Sequence, residues 1–262
     1  MNPIIDALAQ HGFVLVPTEL HVDDAWAFVE ALMGERPRMV ERQPIRPMEG
    51  GRSFASTRGF TPLHTDSQDY LGEPPGLQVM TCRRPAATGG ETILLDGRAL
   101  LARIEADDAA LHRALFETTR EHRFYFGDVT APTVRRDAAG RCVWTHSPIP
   151  ASDDVALKFA PWLERAAKKH IAVRAGETLI VDNHRMLHGR TAFEGSEREF
   201  LRLLAWMPRP TADILAETRL RIVLEMLTGT PPAKLAAREG LAEPELYAWR
   251  TKALAAARDA LR

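Results

Sequence analysis

The sequence predicts a mainly β domain, a sandwich or jelly roll with peripheral helices, followed by a helical C-terminal segment. Three observations carry that expectation. Short apolar runs bounded by turn residues recur from Leu77 onward, helical periodicity interrupts them only at about 98 to 116 and 155 to 169, and beyond Pro208 and Pro210 the chain becomes rich in Ala, Leu and charge. Many short strands with few helices do not fit the regular alternation of a parallel α/β sheet. The boundary falls near 210, giving residues 1–210 and 211–262 as the two units.

In chain order, "NPIIDALAQHG" reads as a short helix closed by Gly12, and "FVLVP" as a strand stopped by Pro17. "HVDDAWAFVEALMG" has apolar residues at helical spacing and ends on Gly34. Residues 35 to 62, rich in Pro, Gly and Arg, read as a long loop, of the sort that binds or covers ligands. The runs "LQVMTC", "ETILLDG", "TTREHRFYFG", "RCVWTH", "HIAVRAG", "ETLIVDN" and "EFLRLLAWMP" read as strands. The tail reads as helices broken at Gly229 to Pro232 and near Gly240.

Composition narrows the function classes. The 262 residues are 45% hydrophobic and 26% charged, the proportions of an ordinary soluble globular protein. A formal net charge of -1 gives no general reason to expect nucleic acid or an anionic membrane as partner. No apolar run approaches the roughly 18 residues of a membrane helix, and "MNPIIDALAQHGFVLV" has no signal-peptide pattern, so a cytoplasmic protein is expected. Cys82 and Cys142, without CxxC spacing, read as small buried hydrophobes.

The chemistry begins at "PLHTDSQDYLGEPPG". In an extended segment side chains alternate, so His64 and Asp66 share a face. Such a pair is by itself most often a histidine satisfied by a carboxylate. With His188 in "GETLIVDNHRMLHGRTAF", placed after a predicted strand and before Gly189 read as a turn residue, a second meaning opens. Two imidazoles and one carboxylate on one face of a metal suit non-haem iron(II) and leave positions for substrate or oxygen. Arg202 in "EFLRLLAWM" is a cation within an apolar run, which requires either an acidic side chain or a bound organic acid.

"PLHTDSQDYLGEPPGLQVMTCRRPAATGGETILLDG", then "DNHRMLHGRTAF", then an arginine fourteen residues beyond His188, together resemble the iron(II) and 2-oxoglutarate-dependent dioxygenases related to taurine dioxygenase and γ-butyrobetaine hydroxylase. The resemblance spans about residues 10 to 208 in four ordered blocks. It implies a double-stranded β-helix core; Fe(II), 2-oxoglutarate and O2 as cofactor and cosubstrates; and His64, Asp66 and His188 as metal ligands. It further implies that Arg202 and Thr92 of "GGET" hold the distal carboxylate of 2-oxoglutarate, with Arg198 of "SEREF" a second arginine, though that stretch also reads as a solvated loop. The implied reaction oxidises an unactivated C–H bond of a small polar metabolite, such as an amino acid, while 2-oxoglutarate becomes succinate and carbon dioxide. Asp66 in place of a small residue argues against halogenation.

Tyr70 falls where relatives place an aromatic near the substrate, although strand packing explains it equally; Arg58, with Arg52, meets an acidic substrate group or is a solvated loop residue. Three tyrosines in all are too few for an aromatic cage about a quaternary ammonium, which argues against carnitine synthesis. His184 is read as orienting a loop, His146 and His122 as satisfied histidines, and Asp182 and Asn183 as fixing the turn before the distal histidine.

A rival reading comes from "AAREGLAEPELYAWR", which looks like a helix-turn-helix and suggests a DNA-binding regulator sensing 2-oxoglutarate. Glu243 and Glu245 at the start of its second helix would repel phosphates, so a packing or homo-oligomerising element is preferred.

Overall fold

The computed structural model describes residues 2–17, 24–51, 53–67, 73–137, 140–207 and 216–260, with side chains from 219 to 258 in the last segment. Tyr70, Arg52 and the boundary near 210 lie outside the described residues.

The chain opens with α1 (Pro3–His11), β1 (Phe13–Val16) and α2 (Ala25–Met33). Asn2 and Asp24 cap the two helices, and Gly12 and Gly34 close them in the left-handed conformation, as the sequence anticipates. Next come β2 (Met39–Ile45), β3 (Thr61–His64), β4 (Leu77–Arg84), β5 (Thr88–Gly89) and β6 (Thr92–Asp96). The expected single helix near 98 to 116 is a pair, α3 (Gly97–Asp107) and α4 (Ala109–Glu117), because the Asp108 side chain accepts from Leu111 N and restarts the helix. Then follow β7 (Arg120–His122), β8 (Val129–Ala131), β9 (Val134–Arg136), β10 (Cys142–Trp144), α5 (Asp154–Arg165) and β11 (Lys169–Ile171). The domain closes with β12 (Thr178–Asp182), β13 (Met186–Arg190), β14 (Phe193–Glu194) and β15 (Glu199–Trp206).

Two antiparallel sheets dominate. One has the order β1-β12-β4-β15-β2, the other β11-β6-β13-β3. Ile45, Cys82, Leu179, Val181 and Phe200 of the first pack with Leu94 and Met186 of the second, so the sheets meet face to face. The outer face of the first sheet buries Val79, Ile180, Leu201, Leu203 and Ala205 under α1 and α2. Behind the second, Leu95 and Leu187 pack with α3, α4 and α5 around Trp144 and Phe159.

The stretch 35 to 62 contains the strand β2, where a loop was expected. The sequence hides it because its inward residues Glu41 and Gln43 are polar and its outward residues Arg42 and Pro44 are exposed, so no apolar alternation shows. As an edge strand bonded only to β15, β2 tolerates Pro44. Gly189 likewise lies inside β13, and no turn forms there.

After β15, α6 (Ala216–Leu227), α7 (Pro232–Glu239) and α8 (Glu243–Ala260) gather around Ile222, Met226, Leu235 and Leu246. Gly240 makes the left-handed turn between α7 and α8, and Glu243 and Glu245 occupy the first turn of α8. Cys82, which is buried, and Cys142, which is half-buried, form no disulfide among the described residues. No described helix is long and apolar enough to cross a membrane.

Candidate metal centre

β3 and β13 pair so that His64 and His188 face each other directly, their ring centroids 4.4 Å apart. This approach requires glycine next to His188: a Cβ on Gly189 would stand 2.6 Å from the Thr61 carbonyl oxygen. Asp66 follows two residues past His64, and its backbone is gripped by Asn183 of the β12–β13 turn. Asn183 Oδ1 accepts from Asp66 N at 3.0 Å, while Asn183 Nδ2 donates to the carbonyls of Asp66 at 2.8 Å and Pro75 at 2.7 Å. Asp182 fixes the same turn by accepting from the amides of His184 and Arg185, and His184 Nε2 meets the Pro74 carbonyl at 3.1 Å.

These elements bring one donor atom each of His64, Asp66 and His188 within 4.8 Å of one another. The donor set fits a divalent metal. His64 Nδ1 lies 2.9 Å from the Pro62 carbonyl, so that nitrogen carries the proton and Nε2 keeps its lone pair. Burial lowers the His64 pKa against the opposing pull of Asp66, and pushes His188 down to about 3 with help from the His64 ring. Burial alone would raise Asp66, but Arg202, His188, His64 and the Gln78 amide outweigh it and hold the carboxyl below its usual range. Neutral imidazoles beside an anionic carboxylate are the protonation states that ligation needs.

Gln78 was not singled out in the sequence. Its amide donates to Asp66 Oδ2 and lies 3.1 Å from His188 Nε2. The signal was present: Gln78 is a polar residue at an inward position of "LQVMTC".

The two arginines differ. Arg202 is met by a protein carboxylate, Nη1 standing 2.9 Å from Asp66 Oδ1, while Nη2 donates to Gln43 Oε1. Arg198 is no solvated loop residue. It is 3% exposed, with its guanidinium 4.1 Å from the Phe200 ring centroid and 5.1 Å from that of Phe193. Its Nε has no partner, and among the described residues no carboxylate pairs with it. Burial, then Arg190, lowers its pKa to about 10, leaving it charged at neutral pH. The "GGET" turn lies against it, since a Cβ on Gly90 would come within 3.3 Å of Arg198 Nε, and Thr92 begins β6 two residues later. Arg190, also missed, is buried with its guanidinium 4.7 Å from the Phe193 ring centroid and donates to the carbonyls of Phe54, Thr57 and Gly59.

Arg58 is exposed, and its carbonyl accepts from the Phe193 amide. His122 is a satisfied core histidine, with Nε2 3.2 Å from the Ala131 carbonyl. His146 brackets Thr65 through two backbone contacts, but its Nδ1 is buried without a partner. A cavity of about 580 Å³ opens behind the Asp182–Arg185 turn, and none of His64, Asp66 or His188 lines it. Donor geometry, and not cavity size, locates the centre.

A family model described as taurine catabolism dioxygenase TauD, TfdA family matches residues 1–204. A γ-butyrobetaine dioxygenase of Pseudomonas sp. (strain AK-1) is 28% identical over 170 residues, covering 57% of this chain and 44% of that protein, so this chain matches under half of its relative's length. Among solved structures, asparagine oxygenase in complex with Fe(II), 2S,3S-3-hydroxyasparagine and succinate superposes with a TM-score of 0.58 at 14% identity, over 81% of this chain and 83% of that one. PvcB from Pseudomonas aeruginosa gives 0.55 at 20% identity, over 77% and 78%. These structural likenesses show a shared fold.

Proposed function

The chain belongs to the taurine catabolism dioxygenase TauD, TfdA family, and on that premise we propose that it is an iron(II)- and 2-oxoglutarate-dependent oxygenase acting on an unactivated C–H bond of a small polar metabolite, such as an amino acid. The observation that carries this reading is the buried convergence of His64, Asp66 and His188. When bound, ferrous iron with 2-oxoglutarate and dioxygen supplies the oxidising power, and the keto acid leaves as succinate and carbon dioxide. The two facing sheets support reading the core as a double-stranded β-helix.

His64, Asp66 and His188 hold the metal in this reading. Asp66 has two oxygens, so it can ligate through one while Arg202 or Gln78 steadies the other. Arg198 takes the distal carboxylate of 2-oxoglutarate, with Thr92 beside it, because it is buried with no carboxylate beside it among the described residues, whereas the other buried arginine near it, Arg190, is satisfied by three backbone carbonyls. Arg202, already engaged, serves chiefly to orient Asp66. Tyr70 and Arg58 remain candidates for the substrate side. The enzyme works in the cytoplasm on a small molecule, and self-association would use the exposed Leu220, Leu224 and Leu227 of α6.

The test is anaerobic addition of Fe(II) and 2-oxoglutarate, followed by oxygen. A visible absorption band requiring both, then succinate release, is the expected result. Absence of the band in folded protein with a full complement of iron overturns the assignment.

A further inference from the structure

The edge strand β2 carries an acidic residue that the metal centre does not use. Register pairs Ile45 with Phe200, Gln43 with Arg202 and Glu41 with Leu204, so Glu41, Gln43 and Ile45 share the face turned to the interior. Two observations confirm the direction: Ile45 packs with Phe200 and Met80 between the sheets, and Gln43 accepts from Arg202. Val40, on the opposite face, packs under the helices instead.

On the far side of Leu204 stands Gln78, the residue that touches both Asp66 and His188. Gln78, Leu204 and Glu41 therefore form one row across three neighbouring strands, which places the Glu41 backbone about 10 Å from that of Gln78. A small metabolite held at the centre spans that interval.

Glu41 Oε2 is shut off from water and has no hydrogen-bond partner among the described residues. Arg202, on the same face of β15 as Leu204, is committed through its two terminal nitrogens to Asp66 and Gln43. A carboxylate oxygen buried without a donor is costly, and one that persists beside a reaction centre indicates a donor that arrives with the ligand. We propose that Glu41 binds a positively charged nitrogen of the prime substrate, an ammonium or guanidinium group, and that the enzyme's substrates are accordingly cationic at the end remote from the oxidised carbon. This rests on reading the centre as an iron and 2-oxoglutarate site.

The experiment separates the two. Wild-type protein and Glu41→Gln are first loaded anaerobically with Fe(II) and 2-oxoglutarate; the band must form in both, which tests the centre alone and shows that the variant folds. Each is then titrated with matched pairs, L-arginine against L-citrulline and L-lysine against L-norleucine, and with methylammonium and guanidinium as fragments. The expected result is that a cationic probe shifts the wild-type band, that its uncharged counterpart does not, and that Glu41→Gln weakens the response roughly tenfold or more. Equal responses to charged and uncharged partners, an unchanged response in the variant, or a band that no cationic probe shifts would each overturn the proposal. A band that fails to form in the wild type removes the proposed function and this inference with it.

Discussion

His64 and His188 stand opposite each other in the β3–β13 ladder, and Gly189, whose missing side chain makes room for the Thr61 carbonyl, lets the strands come so close. Gly189→Ala should therefore push β3 away and pull the two imidazoles out of register with Asp66. We expect substoichiometric iron after anaerobic loading and a loss of about 1–3 kcal/mol of stability, as for other overpacked sites. Iron content and the urea midpoint check it; a fully loaded variant with an unmoved midpoint would refute the steric account.

Arg198 and Arg202 should fail differently. Arg198→Ala removes a buried cation with no protein anion, so iron binding should survive while 2-oxoglutarate affinity falls by roughly 30-fold or more, the worth of a charge-assisted pair. Arg202→Ala releases Asp66 Oδ1 and should act first on iron affinity. Separate titrations of iron and cosubstrate distinguish them, and the reverse pattern would restore Arg202 as the carboxylate clamp.

Asn183 ties the Asp66 backbone to the β12–β13 turn by two hydrogen bonds and holds the Pro75 carbonyl by a third, all buried. Asn183→Ala leaves their partners unsatisfied, which should cost about 1–3 kcal/mol and loosen the metal without altering any ligand. Paired measurements of unfolding and iron dissociation test this. An unaffected iron off-rate would show that Asp66 is held by other means.

Stability should fall in mild acid. His122 is held at about 4, chiefly by burial and then by the Arg120 charge, against roughly 6.5 in an unfolded chain. Between those values the unfolded chain binds a proton that the folded one refuses, so stability rises with pH across this window and is lost as pH drops through it. The full difference amounts to about 3 kcal/mol. His122→Asn should flatten the dependence of the urea midpoint on pH between about 4 and 6.5; an equally steep profile would assign the effect to other groups.

The centre was legible because its rules are local. Alternation puts His64 and Asp66 on one face, and His188 stands out by its place just after the predicted strand of "ETLIVDN", although it lies inside β13 and not before a turn. What could not be read was tertiary. Arg198, between Glu197 and Glu199, looks solvated until Phe193 and Phe200 enclose it. The sequence of β2 lacks an apolar stripe because its inner surface faces polar chemistry, so the rule that finds strands by hydrophobic alternation fails where function requires charge. Arg202 met the side-chain acid that was the alternative to a bound ligand, and which acid it was depended on the fold.

The attachment of β2 to the sheet through β15 alone divides the labour of the protein between two mechanical parts. The three side chains proposed to hold the metal belong to β3, β13 and the segment after β3, and none lies on β2. A change at position 41 should therefore alter which molecule is accepted without disturbing how oxygen is handled, whereas Gln43, through Arg202, bears on Asp66. Redirecting the enzyme to a new compound should begin at this rim, where exchanges meet the least resistance from the rest of the fold.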